Sequence, residues 1–293
     1  MISNEINHPK WGKCIKIKNS ETTIIVTIEC GLRIIWFGDE MNNLFCDDIS
    51  PELEKFETEA GEFCLKGGHR FWHSPESYPR TYQPDNQRIS YEFGDKYIKL
   101  FQDLDVQNRL KKTIKIEELS NRKFKISHTL YNDHLWPIEV SIWPISMMRP
   151  RGRVIIPLND DDTGYAPNNK LLLWKYSRPN DKRLHWGENH VEIQSIPDDN
   201  NAFKLGVMSN RNWVGYRFED YSFVKRFEFE NKTYPDSGCN VECFTRREIL
   251  ELETLSPLEN LASKSSFEYS EVWEWFKKTF DRIDRWIDYV DEI

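Results

Sequence analysis

The chain has 293 residues, of which 39% are hydrophobic and 14% aromatic, and its formal net charge is −8 at pH 7. These fractions are sufficient for the packed core of one large domain or two ordinary ones. An acidic chain without a basic stripe argues against nucleic acid or an anionic membrane surface as its partner. Neither an apolar leader nor an apolar run of ~18–20 residues is visible, so we expect no secretory signal and no membrane-spanning helix.

The six cysteines have no C-x-x-C spacing and no regular framework. Cys239 and Cys243 lie within one strand-like stretch, where neighbouring cysteines rarely form a disulfide. We therefore expect all six thiols to be reduced, and the predicted location of the protein is the cytoplasm.

Short β-type runs recur along the whole chain and predict an all-β protein. Gly, Pro, Asn and Asp separate the runs, and no ten-residue helical pattern alternates with them, which is typical of an antiparallel sandwich or barrel. Because no linker divides the chain, we predict a single domain over residues 1–273. Its strands are predicted at residues 23–28, 32–37, 89–93, 97–101, 123–130, 138–147, 154–158, 171–176, 203–208, 213–218, 223–229, 240–245, 249–255 and 266–272.

Residues 67–76, Gly-Gly-His-Arg-Phe-Trp-His-Ser-Pro-Glu, contain the densest set of chemically reactive side chains. If this segment is a strand, His69 and His73 lie on one face, and Arg70 and Trp72 lie on the other. A histidine beside a sugar ring transfers protons near neutral pH, and an arginine binds hydroxyls or anions in a forked geometry. The alternative is a loop whose His and Arg side chains only satisfy buried carbonyls. Because no H-x-H or H-E-x-x-H spacing occurs, we expect no metal site.

Four single residues on other predicted strands are also candidates. His128 shares a face with apolar neighbours, which favours a buried core histidine over a ligand. Trp143 lies opposite the apolar face of its strand and is either a sugar-stacking platform or a packing residue. Lys204 and Lys225 are the natural cationic partners for nearby carboxylates, unless they face solvent as most strand lysines do.

Residues 239–255 predict a hairpin with its tip at residues 246–247. Pairing across this tip places Glu242 opposite Glu251, and Glu253 joins them on the same face. Three carboxylates on one face require solvent, cationic partners or a raised pKa, and a raised pKa provides a general acid or base. The alternative is a solvated outer face.

The last twenty residues, 274–293, predict an amphipathic helix of about four turns. Its apolar stripe either packs on the β domain, which we favour, or forms a homodimer contact. The apolar positions recur at intervals of three and four residues: Phe276, Phe280, Ile283, Ile287 and Val290.

Several short strings of residues occur together in a characteristic order. They are Gly-Leu-Arg-Ile at 31–34, Gly-Gly-His-Arg-Phe-Trp at 67–72 with Pro-Glu at 75–76, Asn132, Trp-Pro-Ile-Ser-Met-Met at 143–148, Lys-Leu-Gly at 204–206, Phe-Val-Lys-Arg-Phe at 223–227, Tyr-Pro-Asp at 234–236, Asn-Val-Glu at 240–242 and Leu-Glu-Thr-Leu-Ser-Pro-Leu at 252–258. From about residue 15 to residue 273, this set resembles the bacterial DUF4380 family. That family is similar to the galactose-mutarotase-like (aldose 1-epimerase-like) superfamily. The resemblance implies a large antiparallel supersandwich with a sugar site on its concave sheet.

The resemblance also implies a mechanism. Aldose epimerases open the sugar ring with a carboxylate that takes the anomeric proton and a histidine that protonates the ring oxygen. Glu253 matches the position of the base best, and Glu242 is the second choice. The position of the acid holds Trp143, so His73, or else His69, is expected to replace it.

The resulting hypothesis is a mutarotase-like enzyme that interconverts the anomers of a small carbohydrate and requires neither a metal nor an organic cofactor. One alternative is a non-catalytic sugar-binding or sensing module that has lost the acid. Another is a lyase or hydrolase that uses the carboxylate cluster. The expected substrate-binding residues are His69, Arg70, Trp72, Glu76, Trp143, Lys204 and Lys225.

Overall fold

The computed structural model describes residues 2–49 and 55–293, and this part of the chain contains twenty-three β-strands and one α-helix. The first twelve strands are β1 (Ile2–His8), β2 (Gly12–Lys18), β3 (Thr23–Thr27), β4 (Ile34–Gly38), β5 (Lys55–Thr58), β6 (Gly61–Cys64), β7 (His69–Ser74), β8 (Ser90–Phe93), β9 (Tyr97–Phe101), β10 (Leu110–Ser120), β11 (Lys123–Asn132) and β12 (Ile138–Met147). The remaining elements are β13 (Arg153–Pro157), β14 (Lys170–Leu173), β15 (Leu184–Trp186), β16 (His190–Gln194), β17 (Phe203–Met208), β18 (Trp213–Phe218), β19 (Tyr221–Arg226), β20 (Val241–Arg246), β21 (Ile249–Thr254), β22 (Glu259–Leu261), β23 (Ser266–Lys277) and α1 (Ile283–Glu292). The all-β prediction is confirmed.

Within the described residues, the strands form two large antiparallel sheets and a separate β5–β6 hairpin. Sheet one has the order β1-β2-β3-β4-β7-β12-β21-β20-β17-β14, and β22 also pairs with β12. Sheet two has the order β15-β16-β13-β18-β19-β23-β11-β10-β9-β8. Because β7, β12, β21, β20 and β17 are consecutive in sheet one, side chains from distant segments of the chain meet on its faces.

Aromatic rings from both sheets pack in the core between them. The ring of Phe37 in sheet one lies 5.8 Å from Phe124, 5.5 Å from Phe223 and 5.3 Å from Trp273 in sheet two, measured between ring centroids. Each of these contacts is edge-on, the geometry that adds about 0.5–1.5 kcal/mol per pair beyond area burial. This packing fixes which face of each strand points into the core.

Strand β10 illustrates why some strands were absent from the predicted set. In β10, Ile114 and Ile116 are fully buried, whereas Lys115 and Glu117 alternate with them on the outer face and form an ion pair. The many charged residues on the outer face obscured the period of two in the sequence. An apolar face that carries only every second residue is nevertheless sufficient to anchor a strand on one side.

β20 and β21 form the predicted hairpin, but its tip lies one residue later than predicted. The turn residues are Arg247, with a φ of 51°, and Glu248. Glu242 consequently pairs with Glu253 rather than with Glu251, so the predicted register is wrong. The sequence offers no favoured turn dipeptide that would have chosen the tip. Because the pairing shifts by two residues, the three carboxylates remain on one face.

The C-terminal helix is shorter than predicted, because β23 extends past Phe276 and α1 begins only at Ile283. Trp286 is fully buried against sheet two, where its ring lies 5.7 Å from that of Trp213 and its Nε1 donates to Ser222 Oγ at 2.8 Å. The apolar side of the helix therefore packs on the protein's own sandwich. A homodimer through this helix stays a prediction.

The six cysteines are free thiols. Burial raises the pKa of Cys46 to about 11, so this thiol is protonated at neutral pH. The single helix is ten residues long, and no helix in the described chain has the length and apolar character that a membrane crossing requires.

Replacing Trp286 with Ala is expected to lower the free energy of unfolding by about 3–5 kcal/mol, because it removes a buried indole and leaves a cavity under the helix. Urea denaturation of the full chain, followed by far-UV circular dichroism, measures the change. Trp186→Ala is the matched control, since Trp186 is 52% exposed, and it should cost less than about 1 kcal/mol. Equal losses in the two variants would contradict the packing of α1.

Candidate functional site

A cavity of about 310 Å³ opens on the face of sheet one that points away from the core. Strands β7, β12, β17, β20 and β21 form its floor, and residues of the β5–β6 hairpin form part of its wall. Eight of the fifteen described lining residues are aromatic. The lining consists of Phe56, Phe63, Leu65, Arg70, Trp72, Glu76, Tyr82, Trp143, Trp174, Tyr176, Ala202, Lys204, Phe244, Glu251 and Glu253.

Strand β7 divides its side chains between the cavity and the core. Arg70 and Trp72 line the cavity. Phe71 belongs to the core cluster between the sheets, and the ring of His69 lies 4.5 Å from that of Trp273 in sheet two. The predicted division of this segment into two faces is confirmed, and it decides which residues can reach a ligand.

Arg70 is held by a carboxylate and an indole on the cavity wall. Its Nη2 donates to Glu251 Oε1 at 3.0 Å, and its guanidinium lies 4.3 Å from the ring centroid of Trp72. The side chain is only 2% exposed, yet its Nε and Nη1 have no hydrogen-bond partner among the described residues. Arg70 is therefore fixed in place, and the N–H groups of two of its nitrogens still lack an acceptor.

Lys204 of β17 is the charged centre of the cavity floor. Its Nζ lies 2.6 Å from Glu242 Oε2 and 3.0 Å from Glu253 Oε2. Trp143 Nε1 donates to the same Glu253 oxygen at 2.8 Å. The Lys204 ammonium also lies 4.6 Å and 4.8 Å from the ring centroids of Trp143 and Trp174. The predicted pairing of Lys204 with the carboxylates is confirmed, and the ammonium is enclosed by two acids and two indoles.

The two acids of this cluster differ in their access to the cavity. Glu253 lines the cavity, and its Oε1 has no hydrogen-bond partner among the described residues. Glu242 is fully buried and does not line the cavity, and its Oε1 accepts from Cys239 Sγ at 3.0 Å. Of the two predicted bases, the geometry therefore gives only Glu253 a route to a ligand.

Two carboxylates share one ammonium in this buried cluster. Burial raises the pKa of Glu253 well above its ordinary value; Lys204 opposes this shift, and Glu242 adds to it. Burial also disfavours the charge on Lys204, but the two carboxylates outweigh this effect and hold the pKa of Lys204 well above its ordinary value. Lys204 therefore stays charged, and Glu253 exchanges a proton at a higher pH than a free glutamate does.

Aromatic residues and one acid form the rest of the wall. The hydroxyl of Tyr82 donates to Glu76, which is exposed in the loop after β7. The Tyr82 ring lies 5.4 Å from Phe63 and 5.5 Å from Trp72. Tyr176 is 45% exposed and follows β14. These rings give the cavity an apolar wall beside its charged floor.

The predicted acid, His73, does not line the cavity. It is 3% exposed, and neither ring nitrogen has a hydrogen-bond partner among the described residues. Burial, together with Lys112 and Arg80, lowers the pKa of His73 well below its ordinary value, so the ring is neutral at physiological pH. The structure does not place His73 where it could replace the acid opposite Glu253, because His73 lies on the core face of β7.

His69 is also a core residue. Its Nε2 forms a 2.9 Å hydrogen bond with His128 Nε2, and its Nδ1 lies 2.8 Å from Ser146 Oγ. Burial lowers the pKa of His128 to about 4 and that of His69 well below its ordinary value. The prediction of a core histidine at 128 is confirmed. A substrate-binding role for His69 is not supported, because the sheet separates its ring from the cavity.

Lys225 is likewise remote from the cavity. It is fully buried on β19, where its Nζ lies 3.5 Å from Glu271 Oε1 and donates to the Leu252 carbonyl at 3.4 Å. Burial lowers the pKa of Lys225, although Glu271 opposes the shift. The predicted contact of Lys225 with substrate is wrong, because its side chain points into the core between the sheets.

Sequence analysis missed several lining residues. Trp174 and Tyr176 were assigned to a strand, but β14 ends before them and both lie in the following loop. The sequence patterns assigned no role to Tyr82, and Phe244 was only part of the predicted hairpin. Glu251 was placed on the carboxylate face without a role, and it turns out to anchor Arg70. The sequence feature that could have identified these residues was the excess of aromatic residues in otherwise polar loops.

Glu242, Glu251 and Glu253 are paired with Lys204 or Arg70 rather than arranged around an open cation position. Among residues 2–49 and 55–293, no group of three His, Cys, Asp or Glu side chains is placed to hold a metal ion.

The chain is similar in fold to several solved structures of low sequence identity. A TPR-domain-containing protein from Parabacteroides distasonis gives a TM-score of 0.61 at 11% identity, over 92% of this chain and 48% of its own, so this chain spans about half the length of that protein. A galactose mutarotase-like protein from Clostridium acetobutylicum gives 0.52 at 10% identity, over 95% of this chain and 99% of its own. A galactose mutarotase related enzyme from Lactobacillus acidophilus gives 0.52 at 9% identity, over 91% and 98%.

These similarities show the fold, which is the galactose-mutarotase-like antiparallel supersandwich that the sequence predicted, with one short helix at its C-terminal end. No protein-family model matches the sequence, and no curated protein matches it. Membership of the DUF4380 family therefore stays a prediction.

Replacing Lys204 with Met is expected to lower the free energy of unfolding by about 3–5 kcal/mol at neutral pH, because it leaves two buried carboxylates without their cation. The loss should be smaller at pH 5 than at pH 8. The folded-state pKa of Glu253 is already above its unfolded value, and removing the ammonium raises it further. A group shifted in this direction contributes stability below its unfolded pKa, and that contribution is lost as the pH rises through the folded pKa.

Urea denaturation at the two pH values measures this effect. Lys182→Met is the matched control, because Lys182 forms a surface ion pair with Asp199 at 3.1 Å and has a side chain 66% exposed. Its cost should be at most about 1 kcal/mol at both pH values. A Lys204→Met variant whose loss is independent of pH would contradict the shared-ammonium arrangement.

Proposed function

We propose that the cavity binds a monosaccharide-sized carbohydrate and that Glu253 exchanges a proton with its anomeric hydroxyl, which interconverts the two anomers. The volume of about 310 Å³ lies within the usual range for small-ligand sites, roughly 300–1,000 Å³. The aromatic walls offer flat faces for the C–H side of a sugar ring, and Arg70 offers donors for its hydroxyls. The fold that this chain shares with mutarotase-like proteins supports the same ligand class.

The observation that carries this proposal is the setting of Glu253. Its Oε2 is fixed by Trp143 and Lys204, while its buried Oε1 has no hydrogen-bond partner among the described residues. A carboxyl held at one oxygen and free at the other has a defined orientation toward a bound hydroxyl. Burial also raises its pKa toward the pH at which a general base is effective.

The proposed reaction balances as two proton transfers. Ionised Glu253 takes the proton of the anomeric O–H, the bond between the anomeric carbon and the ring oxygen breaks, and the ring oxygen gains a proton to give the open-chain aldehyde. On reclosure from the other face of the aldehyde, Glu253 returns its proton to the aldehyde oxygen, the ring hydroxyl returns its proton to the donor as its oxygen bonds to the anomeric carbon, and the other anomer forms. The lining residues whose O–H groups could protonate the ring oxygen are Tyr82 and Tyr176, whereas Arg70 and Lys204 stay charged and only donate hydrogen bonds. Burial raises the pKa of both tyrosines, so both keep their O–H at neutral pH.

A second candidate function is sugar binding without catalysis. It is favoured by one observation, namely that no histidine lines the cavity in the described part of the chain. The two functions share the cavity and the ligand class, and they differ in whether Glu253 transfers a proton. Anomer exchange must therefore be measured separately from binding.

Glu253→Gln is expected to reduce catalysed anomer exchange of a bound aldose by at least about 100-fold, the typical contribution of a general base, because an amide cannot accept the proton. Saturation-exchange NMR on glucose and galactose measures the rate. Glu188→Gln, at an exposed position outside the cavity, is the matched control and should exchange at the wild-type rate. Wild-type protein that binds a sugar but does not speed its exchange would favour the binding module instead.

The exchange rate of the wild-type protein is expected to rise with pH, with a midpoint above the ordinary glutamate value of about 4.3. The reason is that only ionised Glu253 is a base, and burial makes its proton harder to lose. Rates measured between pH 4 and pH 9 at saturating sugar, corrected for the uncatalysed reaction, provide the check. A profile without such a rise would exclude Glu253 as the base even if the protein is active.

A further inference from the structure

We infer that the preferred ligand of this cavity carries a positive charge, as an amino sugar does, and is neither phosphorylated nor acidic. This inference rests on the proposed carbohydrate site and adds the charge of the ligand to it. It is drawn from three features of the cavity: the balance of its charges, the chemistry of its walls and the unpartnered polar atoms on its floor.

The charged groups of the cavity leave an excess of negative charge. The cations are Arg70 and Lys204, and the acids are the lining residues Glu76, Glu251 and Glu253 together with Glu242, which touches Lys204. Counted at their formal charges, two cations and four carboxylates leave two negative charges. If Glu253 holds a proton, one negative charge remains, so the sign of the excess does not depend on its protonation. A phosphate or a carboxylate on the ligand would be repelled at this site, and an ammonium would be attracted.

The walls of the cavity are suited to a cation. The face of an aromatic ring attracts positive charge, and three indole faces at the cavity already lie against a cation. Lys204 lies over Trp143 and Trp174, and Arg70 lies over Trp72. Five more aromatic residues line the cavity, and none of them lies under a Lys or Arg of the described chain: Phe56, Phe63, Tyr82, Tyr176 and Phe244.

Unpartnered polar atoms supply the third observation. Glu253 is 1% exposed, and its Oε1 is an acceptor without a donor among the described residues. A buried acceptor of this kind is stabilised by a donor from the ligand, most strongly by a charged one. Arg70 has the complementary need, since its Nε and Nη1 lack acceptors among the described residues. An amino sugar offers both, because its ammonium donates and its hydroxyl oxygens accept without adding negative charge.

The test compares sugars that share one skeleton and differ in charge. Glucose, glucosamine, N-acetylglucosamine and glucose 6-phosphate are titrated into the full chain by isothermal calorimetry, and the galactose series is titrated in the same way. At low salt, the amino sugar is expected to bind at least about fivefold more tightly than the neutral parent, and the phosphate more weakly than the parent. The advantage of the amino sugar should shrink as the ionic strength rises.

Two outcomes overturn the inference in different ways. If the neutral sugar binds as tightly as the amino sugar, or the phosphate binds more tightly than either, the charge of the ligand is wrong while the carbohydrate site stands. If none of the eight sugars binds, the carbohydrate site itself is wrong, and the inference fails with it.

A pair of surface variants isolates the electrostatic contribution. Glu76→Gln removes one acid of the exposed wall and is expected to reduce the preference for the amino sugar over the neutral sugar by at least about twofold at low salt. Glu188→Gln makes the same chemical change at an exposed position outside the cavity and is expected to keep the full preference. An equal effect of the two variants would show that overall charge, rather than the cavity, sets the preference, and would overturn the inference.

Discussion

The floor of the cavity depends on one buried ammonium group. Lys204 lies on β17, Glu242 on β20, Glu253 on β21 and Trp143 on β12, and the ammonium with its two acids ties the first three strands together. Removing two acids and a lysine from water is costly, and close contacts among them offset that cost only if all partners are present. The three charges are therefore interdependent, and together they hold one oxygen of Glu253 still while the other remains free.

Because successive side chains of a strand point to opposite faces of the sheet, two groups of polar residues lie on the two sides of sheet one. On the cavity side of sheet one are Arg70 and Lys204 with their acids; on the core side is the His69–His128 pair. The core pair is kept neutral by burial, whereas the cavity keeps its charges through pairing. Neighbouring residues of one strand therefore lie in different electrostatic environments. In β7, the face on which a side chain lies, core or cavity, determines its chemistry more than its residue type does.

The all-β class and part of the site could be predicted from the sequence because both depend on local periodicity, whereas the supersandwich and the choice of Glu253 came from the family resemblance. Recurrent β-type runs indicated the sandwich, and alternation separated Arg70 from His73 correctly. The errors arose where contacts between distant parts of the chain determine the position of a residue. The hairpin register required knowledge of the turn at Arg247, and the position of Lys225 depends on how sheet two faces sheet one. Trp174 was missed as a cavity residue because the end of β14 is set by pairing with β17, which no local pattern shows.

The tryptophan at position 143 holds Glu253, the proposed base, and stands where the resemblance implies an acid. The resemblance to aldose epimerases places a histidine at this position, which would give its proton to the ring oxygen of the sugar. The indole N–H instead donates to Glu253 Oε2 at 2.8 Å, and the ring forms one side of the Lys204 enclosure. An indole cannot exchange its proton at neutral pH, so Trp143 fixes Glu253 without taking part in proton transfer. Any catalysis in this cavity must therefore use a second proton donor from another wall, and the two tyrosines that line it are the groups available.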